Sequence, residues 1–363
     1  MKKFSKTLMS AAVISTLFTG TVFLVATPQV LAADKVLLKT PIAFGTNLPA
    51  LGTTITWVAE RLDKVSDGTI RMKVYEPGKL VSPPEILDAV SSGKVNSGYA
   101  TAGYWQGKIP AAALFSAVPF GPEAGEYMAW LYYGNGMSLY QEMYDSAGFN
   151  VKVLPCAILS PETSGWFAKP IDKPEDLQGL NMRFFGLGAS VMEKLGVGTV
   201  QLPGGEIFGA LEKGAIDATE FSQPAIDQRL GLNKIVKYNY FPGWHQQSSI
   251  VEFIVNQERW KQISEQDKLI IHMACRSNMI RAISIGEKVQ APAIVAMQKE
   301  GVIVHSWTVP QLKQMFKATQ EMMAEESAND PDFKRAYESL QNFRATNRIW
   351  GTLSRIPAEV FQQ

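Results

Sequence analysis

Leu180-Asn181-Met182-Arg183-Phe184-Phe185-Gly186-Leu187-Gly188-Ala189-Ser190 opens the stretch that decides the fold, which runs on through Val200-Gln201-Leu202 to a helix and strand ending at Glu220-Phe221. Its first residues read as a short apolar strand with an arginine in the middle. A buried guanidinium without an anionic partner is costly, and its planar fork fits a carboxylate bidentately. On this stretch alone two readings of Arg183 stay open: an ion pair with a carboxylate of the protein, and a clamp on the carboxylate of a ligand.

Upstream, the chain alternates in the same way. The patterning predicts strands over 36–42, 69–75 and 95–101, with helices over 52–65 and 83–93 between them. Glu85-Ile86-x-x-Ala89-Val90-x-x-Gly93-x-Val95-Asn96 aligns at one fixed offset with Glu206-Ile207-x-x-Ala210-Leu211-x-x-Gly214-x-Ile216-Asp217, and Pro77-Gly78 resembles Pro203-Gly204. Alternating strands and helices argue for an α/β fold with a parallel sheet, and the repeated order of elements argues for two similar lobes. Apolar runs over 149–159 and 249–256 are long enough to cross between lobes and back, which suits a hinged binding protein whose ligand closes a central cleft. The expected division places 33–155 and 249–285 in the first lobe, and 156–248 and 286–363 in the second. A long helical pattern over about 265–300, with a kink expected at Pro292, is followed by a strand over 302–306 and two charged helices.

Lys2, Lys3 and Lys6 precede an apolar run from Leu8 to Ala26, and Val30-Leu31-Ala32 suits a signal peptidase, so residues 1–32 read as a cleaved secretory signal and the mature chain as exported. The 35 lysines and arginines less these three leave 32 against 34 acidic residues, a net charge of about −2. A nucleic-acid partner would call for a basic field. The two cysteines, Cys156 in a strand-like apolar run and Cys275 in the long helical pattern, are read as buried thiols in preference to a bridge.

Catalytic motifs are scarce. Gly186-Leu187-Gly188 begins like a dinucleotide fingerprint, but Val191 stands where its third glycine belongs. There is no phosphate loop, nucleophile elbow or His-Glu-x-x-His, and the histidines are His245, His272 and His305. Tyr104 and Trp105 follow the last strand of the first repeat, as Glu220 and Phe221 follow that of the second. Ligands of parallel α/β sheets collect beyond the carboxyl ends of strands, so both pairs are expected to face one cleft. Trp130, Tyr132, Tyr133, Tyr140 and Tyr144 fall at helical spacings and read as packing.

At Leu177-Gln178-Gly179-Leu180-Asn181-Met182-Arg183, Ala210-Leu211-Glu212-Lys213-Gly214-Ala215-Ile216-Asp217-Ala218-Thr219-Glu220 and Ala117-Val118-Pro119-Phe120-Gly121, the chain resembles the periplasmic solute-binding proteins of tripartite ATP-independent (TRAP) transporters, the DctP family. The resemblance covers essentially the whole mature chain and is closest to the branch with 2-oxo-acid and lactate binders. It implies a periplasmic receptor and no enzyme, two α/β lobes, a helix spanning both, and Arg183 gripping a substrate carboxylate. The implied partners are a small organic acid and the small and large membrane subunits of a permease; a homodimer is a further expectation, not decided by the sequence. It also implies a calcium or sodium ion beside the ligand, held by Glu162, Glu220 and the backbone carbonyl of Phe221. Glu162 stands before Gly165-Trp166-Phe167 where the family usually has glutamine, and Phe221 where tryptophan is common. Tyr104 and Gln246 are further candidates to touch the ligand.

Glu162, Glu220 and a ligand carboxylate against Arg183 alone leave two excess negative charges in a closing cleft, which is costly unless neutralised. A bound cation, a cationic ligand group such as an ammonium, or a protonated glutamate would each answer it. The ligand expected first is a 2-oxo or 2-hydroxy monocarboxylate. An amino acid or sugar acid is the alternative, and an exported hydrolase using Glu162 and Glu220 is the rival from another class.

Overall fold

A computed structural model describes residues 35–357 and Val360. The leader expected over 1–32 lies outside them. Eleven strands are present among the described residues: β1 (Val36–Pro41), β2 (Ile70–Tyr75), β3 (Ser97–Ala100), β4 (Val151–Leu159), β5 (Gly165–Phe167), β6 (Asn181–Arg183), β7 (Gly198–Val200), β8 (Ala218–Thr219), β9 (Tyr238–Phe241), β10 (Ser249–Asn256) and β11 (Ile303–Ser306). They form two groups, one per lobe.

In the first lobe β1 pairs with β2 in parallel, a parallel bridge joins Ile42 to Tyr99, and β10 lies between β3 and β4. The second lobe carries the order β11-β9-β5-β8-β6-β7. The repeat read from the sequence is visible here. In each lobe a first strand, β1 or β6, has the strand that follows it on one side and the third strand, β3 or β8, on the other, all parallel, with helices Gly52–Val65 and Gly186–Lys194 as the first crossovers. Two strands break the expected parallel order. β10 runs antiparallel to β3 and β4, and β5 antiparallel to β8 and β9. The chain path requires this. β3 and β4 end at the cleft, whereas β10 enters its lobe from the cleft after the return crossing; β5 likewise enters the second lobe from the cleft, while β8 and β9 end there.

β4 pairs along its full length with β10, so the boundary expected after residue 155 falls inside a first-lobe strand, and the outward crossing is the segment after Leu159. The helix Glu265–Lys299, with Pro292 inside it, packs on β4 and on helix Gly52–Val65 in the first lobe and on helix Pro224–Leu230 in the second. Its contacts with both lobes are specific. Asn278 Nδ2 donates to the Cys156 carbonyl at 2.7 Å, and the Ala225 amide donates to Gln290 at 2.9 Å. Cys156 and Cys275 form a disulfide between β4 and this helix, which corrects the expectation of two thiols. Packing the buried face of the helix on the buried strand brings together two cysteines 119 residues apart.

Helix Val309–Asn329 packs on Gly186–Lys194 in the second lobe. The last helix, Pro331–Leu353, expected there too, packs against the first lobe instead. It buries Phe333, Ala336 and Leu340, a stripe at helical spacing, and Trp130 donates to Ser339 at 3.0 Å. Trp130, Tyr140 and Tyr144 are buried as expected of packing residues, while Tyr133 is 91% exposed. Among the described residues no helix is long and apolar enough to cross a membrane.

Candidate functional site

The lobes meet over a small cleft. On the first-lobe side Thr101 follows β3, and the turn Ala102–Trp105 carries Tyr104 into contact with Phe185 of the second lobe, ring centres 5.3 Å apart. A β-carbon at Gly103 would stand 2.3 Å from the Phe185 ring, so only glycine allows this approach. Gln106 reaches Ser190 across the gap at 3.3 Å. The lobes are thus closed on one another, around a small cavity of about 30 Å³. Phe44, Leu51, Leu159, Phe185, Phe221 and Ile250 give it an apolar wall, and Tyr104, Glu162, Arg183, Ser222, Gln246 and Ser249 its polar groups.

Arg183 ends β6 and is 1% exposed. Its Nε donates to the Leu202 carbonyl at 3.1 Å, and Nη1 to the Glu220 carbonyl and to Glu220 Oε2, the latter at 2.9 Å. The guanidinium lies 5.1 Å from the Phe221 ring centre and 5.9 Å from that of Phe185. The ion pair within the protein and a place at a cavity, read from the sequence as alternatives, are both present. Nε and Nη1 are spent on the protein, which leaves the Nη2 edge of the fork for an anion. Tyr104 is buried beside it. Burial raises its phenol, and the Arg183 charge pulls the other way.

Glu162, on the outward crossing, is 3% exposed. Its Oε1 accepts from Ser249 at 2.8 Å and from Ser222 at 3.4 Å, and its Oε2 accepts from Gln246. Burial, then the charge of Glu220, hold its carboxyl well above the usual carboxylate range. Glycine again permits the geometry. A β-carbon at Gly243 would lie 2.3 Å from the Glu162 carbonyl oxygen, so the return crossing touches the outward one backbone to backbone. Gln246 therefore reaches Glu162. Phe221 lends its ring to the cavity wall, and the backbone oxygen engaged by Arg183 is that of Glu220.

Three contributors were not picked out from the sequence. Asp227, at the start of helix Pro224–Leu230, is fully buried; its Oδ2 accepts from Trp166 at 2.7 Å and its Oδ1 from the Ser222 amide at 3.1 Å. Burial pushes its carboxyl up to about 7. Ser249 caps Glu162 from the return strand. His245 is 1% exposed, with Nε2 3.4 Å from Glu220 Oε1. Neither ring nitrogen, nor Glu220 Oε1, has a hydrogen-bond partner among the described residues. Glu162, Glu220 and His245 each offer a ligand atom within 4.8 Å of the others. Buried polar atoms left without partners are rare and costly. A cation among these three residues would satisfy Glu220 Oε1 and one nitrogen of His245, so the donor set fits a metal ion.

Residues 47–330 match the model of the bacterial extracellular solute-binding protein, family 7, DctP. The chain belongs to this family. A monocarboxylate 2-oxoacid-binding periplasmic protein of Nostoc sp. is 33% identical to this DctP chain over 314 residues, 86% of each. A TRAP periplasmic solute binding protein from Colwellia psychrerythraea, solved with bound calcium and pyruvate, matches with a TM-score of 0.84 and 31% identity, covering 88% of this chain and 98% of that one. Its counterpart from Pseudoalteromonas atlantica T6c, with bound sodium and pyruvate, matches with a TM-score of 0.83 and 30% identity over 87% and 96%. DctP proteins are solute receptors, and the two-lobed architecture is theirs.

Proposed function

We propose that this DctP protein captures a small 2-oxo or 2-hydroxy monocarboxylate in the periplasm, together with a cation, and hands it to the small and large membrane subunits of a TRAP permease. The observation that carries the reading is Arg183, buried at the wall of the cavity, with Nε and Nη1 bonded to the protein and its Nη2 edge beside Tyr104 turned to the cavity among the described residues. Tyr104 and Gln246 flank it as donors. Glu162, Glu220 and the Phe221 carbonyl are assigned to the cation. The cation supplies positive charge and open coordination positions beside the ligand; the chain's own residues orient the acid and exclude water.

Size and lining argue for a short acid. The room inside is only about 30 Å³, below the usual range of small-molecule sites, and much of the wall is apolar. Relatives that bind pyruvate with calcium or sodium, and a relative named for 2-oxoacids, support the same class. A cation would answer the excess negative charge that Glu162, Glu220 and a ligand carboxylate leave against Arg183 when they are ionised. The hydrolase reading is weaker: Glu162 has both oxygens bonded and Glu220 has one tied to Arg183. Cleavage of the leader after Ala32 and residence in a Gram-negative periplasm belong to this proposal. So does self-association, supported by exposed Ile349, Trp350 and Leu353 near the chain's end.

A thermal-shift screen of 2-oxo acids, 2-hydroxy acids, amino acids and sugar acids, with and without calcium, tests the reading. A ligand at a hundred times its Kd adds about 2.7 kcal/mol, near 4 °C for a chain of this length. Stabilisation by amino acids alone would overturn the ligand class, and conversion of the ligand to product would overturn the receptor.

A further inference from the structure

Behind the wall of the ligand cavity lies a carboxyl group that the receptor reading leaves unused. Glu252 is fully buried on β10, three residues beyond Ser249. Its Oε1 accepts from the Trp105 indole at 2.9 Å and from the Tyr144 hydroxyl at 2.8 Å, and its Oε2 accepts from Tyr144 at 2.9 Å and from Tyr140. Tyr140 and Tyr144 belong to helix Gly136–Ser146, and none of the three donors is cationic. Burial accordingly holds the carboxyl above its usual range. An apolar side chain of similar volume would fill this place at less cost. It would not hold the indole, which has one N–H and no acceptor, so that the ring is directed by wherever its acceptor stands.

Trp105 ends the turn Ala102–Trp105, the first-lobe element that meets the second lobe. Its neighbour Tyr104 lines the cavity beside Arg183, while Trp105 is buried behind that wall. The turn is tied to β10 on both sides. The Thr101 hydroxyl, just before it, donates to the Ile250 carbonyl at 2.9 Å, and the Trp105 indole, at its end, donates to Glu252. Between the two ties stand Tyr104 and Gly103, both of them against the Phe185 ring. Other hydrogen bonds of the turn are local: the Tyr104 amide donates to the Thr101 carbonyl at 3.2 Å, and the Lys108 and Ile109 amides donate to the Trp105 carbonyl at 2.8 Å. Bonds of this kind shape a turn without fixing its place on a sheet. A contact group placed in advance saves the ordering cost that binding would otherwise carry.

We propose that Glu252 is a positioning residue for ligand capture: through the Trp105 indole it fixes the turn Ala102–Trp105 on β10, and with it Tyr104 at the cavity and the contact with Phe185. The proposal rests on the receptor reading for its ligand, and on the hydrogen bonds within the first lobe for its anchor.

The test uses the full chain, titrated calorimetrically with pyruvate in calcium buffer, beside hydrogen exchange of the backbone amides over 102–109 measured without ligand. Trp105→Phe keeps a ring and removes the N–H; it is expected to weaken pyruvate binding at least about 5-fold and to speed exchange over the turn. Glu252→Leu should do the same, and Glu252→Gln, which keeps an oxygen for the indole, should recover most of the loss. The double variant Glu252→Leu/Trp105→Phe should bind no worse than either single one, because both cut one link. Tyr140→Phe removes a donor from Oε2, the oxygen turned away from the indole; it should lower the urea midpoint, leave affinity within about 2-fold and leave exchange over 102–109 unchanged. Should the leucine variant fold poorly, Trp105→Phe, Glu252→Gln and Tyr140→Phe decide the matter alone. Trp105→Phe binding within about 2-fold of the native chain, whatever its exchange, or Tyr140→Phe weakening binding as much as Trp105→Phe, would overturn the proposal and leave the cluster as packing. A native chain that binds no pyruvate removes the monocarboxylate reading instead. Exchange then decides the anchor by itself: faster exchange over the turn in Trp105→Phe upholds it, and unchanged exchange overturns it.

Discussion

Replacing Arg183 by methionine separates its two roles, because they differ in magnitude. Within the protein the guanidinium holds Glu220 through an ion pair at 2.9 Å and anchors the Leu202 carbonyl at 3.1 Å, all of it buried. Removing one member of a buried pair leaves the other charge uncompensated, at a cost of about 3–5 kcal/mol. Against a domain stability of roughly 5–15 kcal/mol the variant still folds, with a lower urea midpoint. Toward the ligand, loss of a desolvated charge partner costs about 2–5 kcal/mol, an affinity loss of about 30-fold to several thousand-fold. Arg183→Lys keeps a charge near Glu220 but loses the fork, so it should recover much of the stability while binding stays at least about 10-fold weaker. Urea unfolding and calorimetry with pyruvate read the two effects on the same samples. A methionine variant that is destabilised as expected yet binds pyruvate within about 3-fold of the native chain would refute the clamp and leave Arg183 as a structural ion pair alone.

Three further outcomes follow from the packing. Glu252 on β10 is buried among Trp105, Tyr140 and Tyr144, and burial pushes its carboxyl from 4.5 up to about 7 against the pull of their hydrogen bonds. Its folded value lies above its unfolded one, so its contribution is complete below about pH 4.5 and is lost as pH rises through 7, on the order of 3 kcal/mol; Glu252→Gln should flatten that part of the urea stability profile between pH 5 and 8 relative to the native chain. Reducing the Cys156–Cys275 bridge, which closes a loop of 119 residues, should lower stability by about 2–4 kcal/mol and spare pyruvate affinity, as thermal unfolding and calorimetry with and without reductant would show. Gly243→Ala forces the Glu162 backbone to move, since the new β-carbon would meet its carbonyl oxygen at 2.3 Å, and should weaken pyruvate binding at least about 10-fold where a surface alanine would not.

Much of this was legible in the chain because it is local. An arginine isolated in an apolar strand marks itself, and Arg183 lies where such a residue must, against a carboxylate at the end of a strand. The repeat was legible because each lobe reuses one β-α-β-α-β order, but the apolar runs over 149–159 and 249–256, read as crossings, are buried strands β4 and β10 paired within the first lobe, and the crossings are the segments after β4 and before β10. What was not legible depends on which surfaces meet. Cys156 and Cys275 each read as buried, but nothing local says that β4 lies under the long helix. The stripe Phe333, Ala336, Leu340 shows that the last helix packs without saying on which lobe. His245 and Asp227 carry no spacing signal; the first gains meaning only when the return crossing folds against Glu220, and the second only when Trp166 and the Ser222 amide close on it.

The central claim is that Arg183 and a neighbouring cation jointly hold a small 2-oxo or 2-hydroxy monocarboxylate. Calorimetric titration of pyruvate into metal-loaded protein, and into protein held in chelator and sodium-free buffer, tests it most directly. The account predicts one pyruvate per chain, recovered unchanged, with affinity at least about 10-fold lower once cations are removed. An affinity that chelation leaves untouched, or no binding of pyruvate or lactate under either condition, would contradict it.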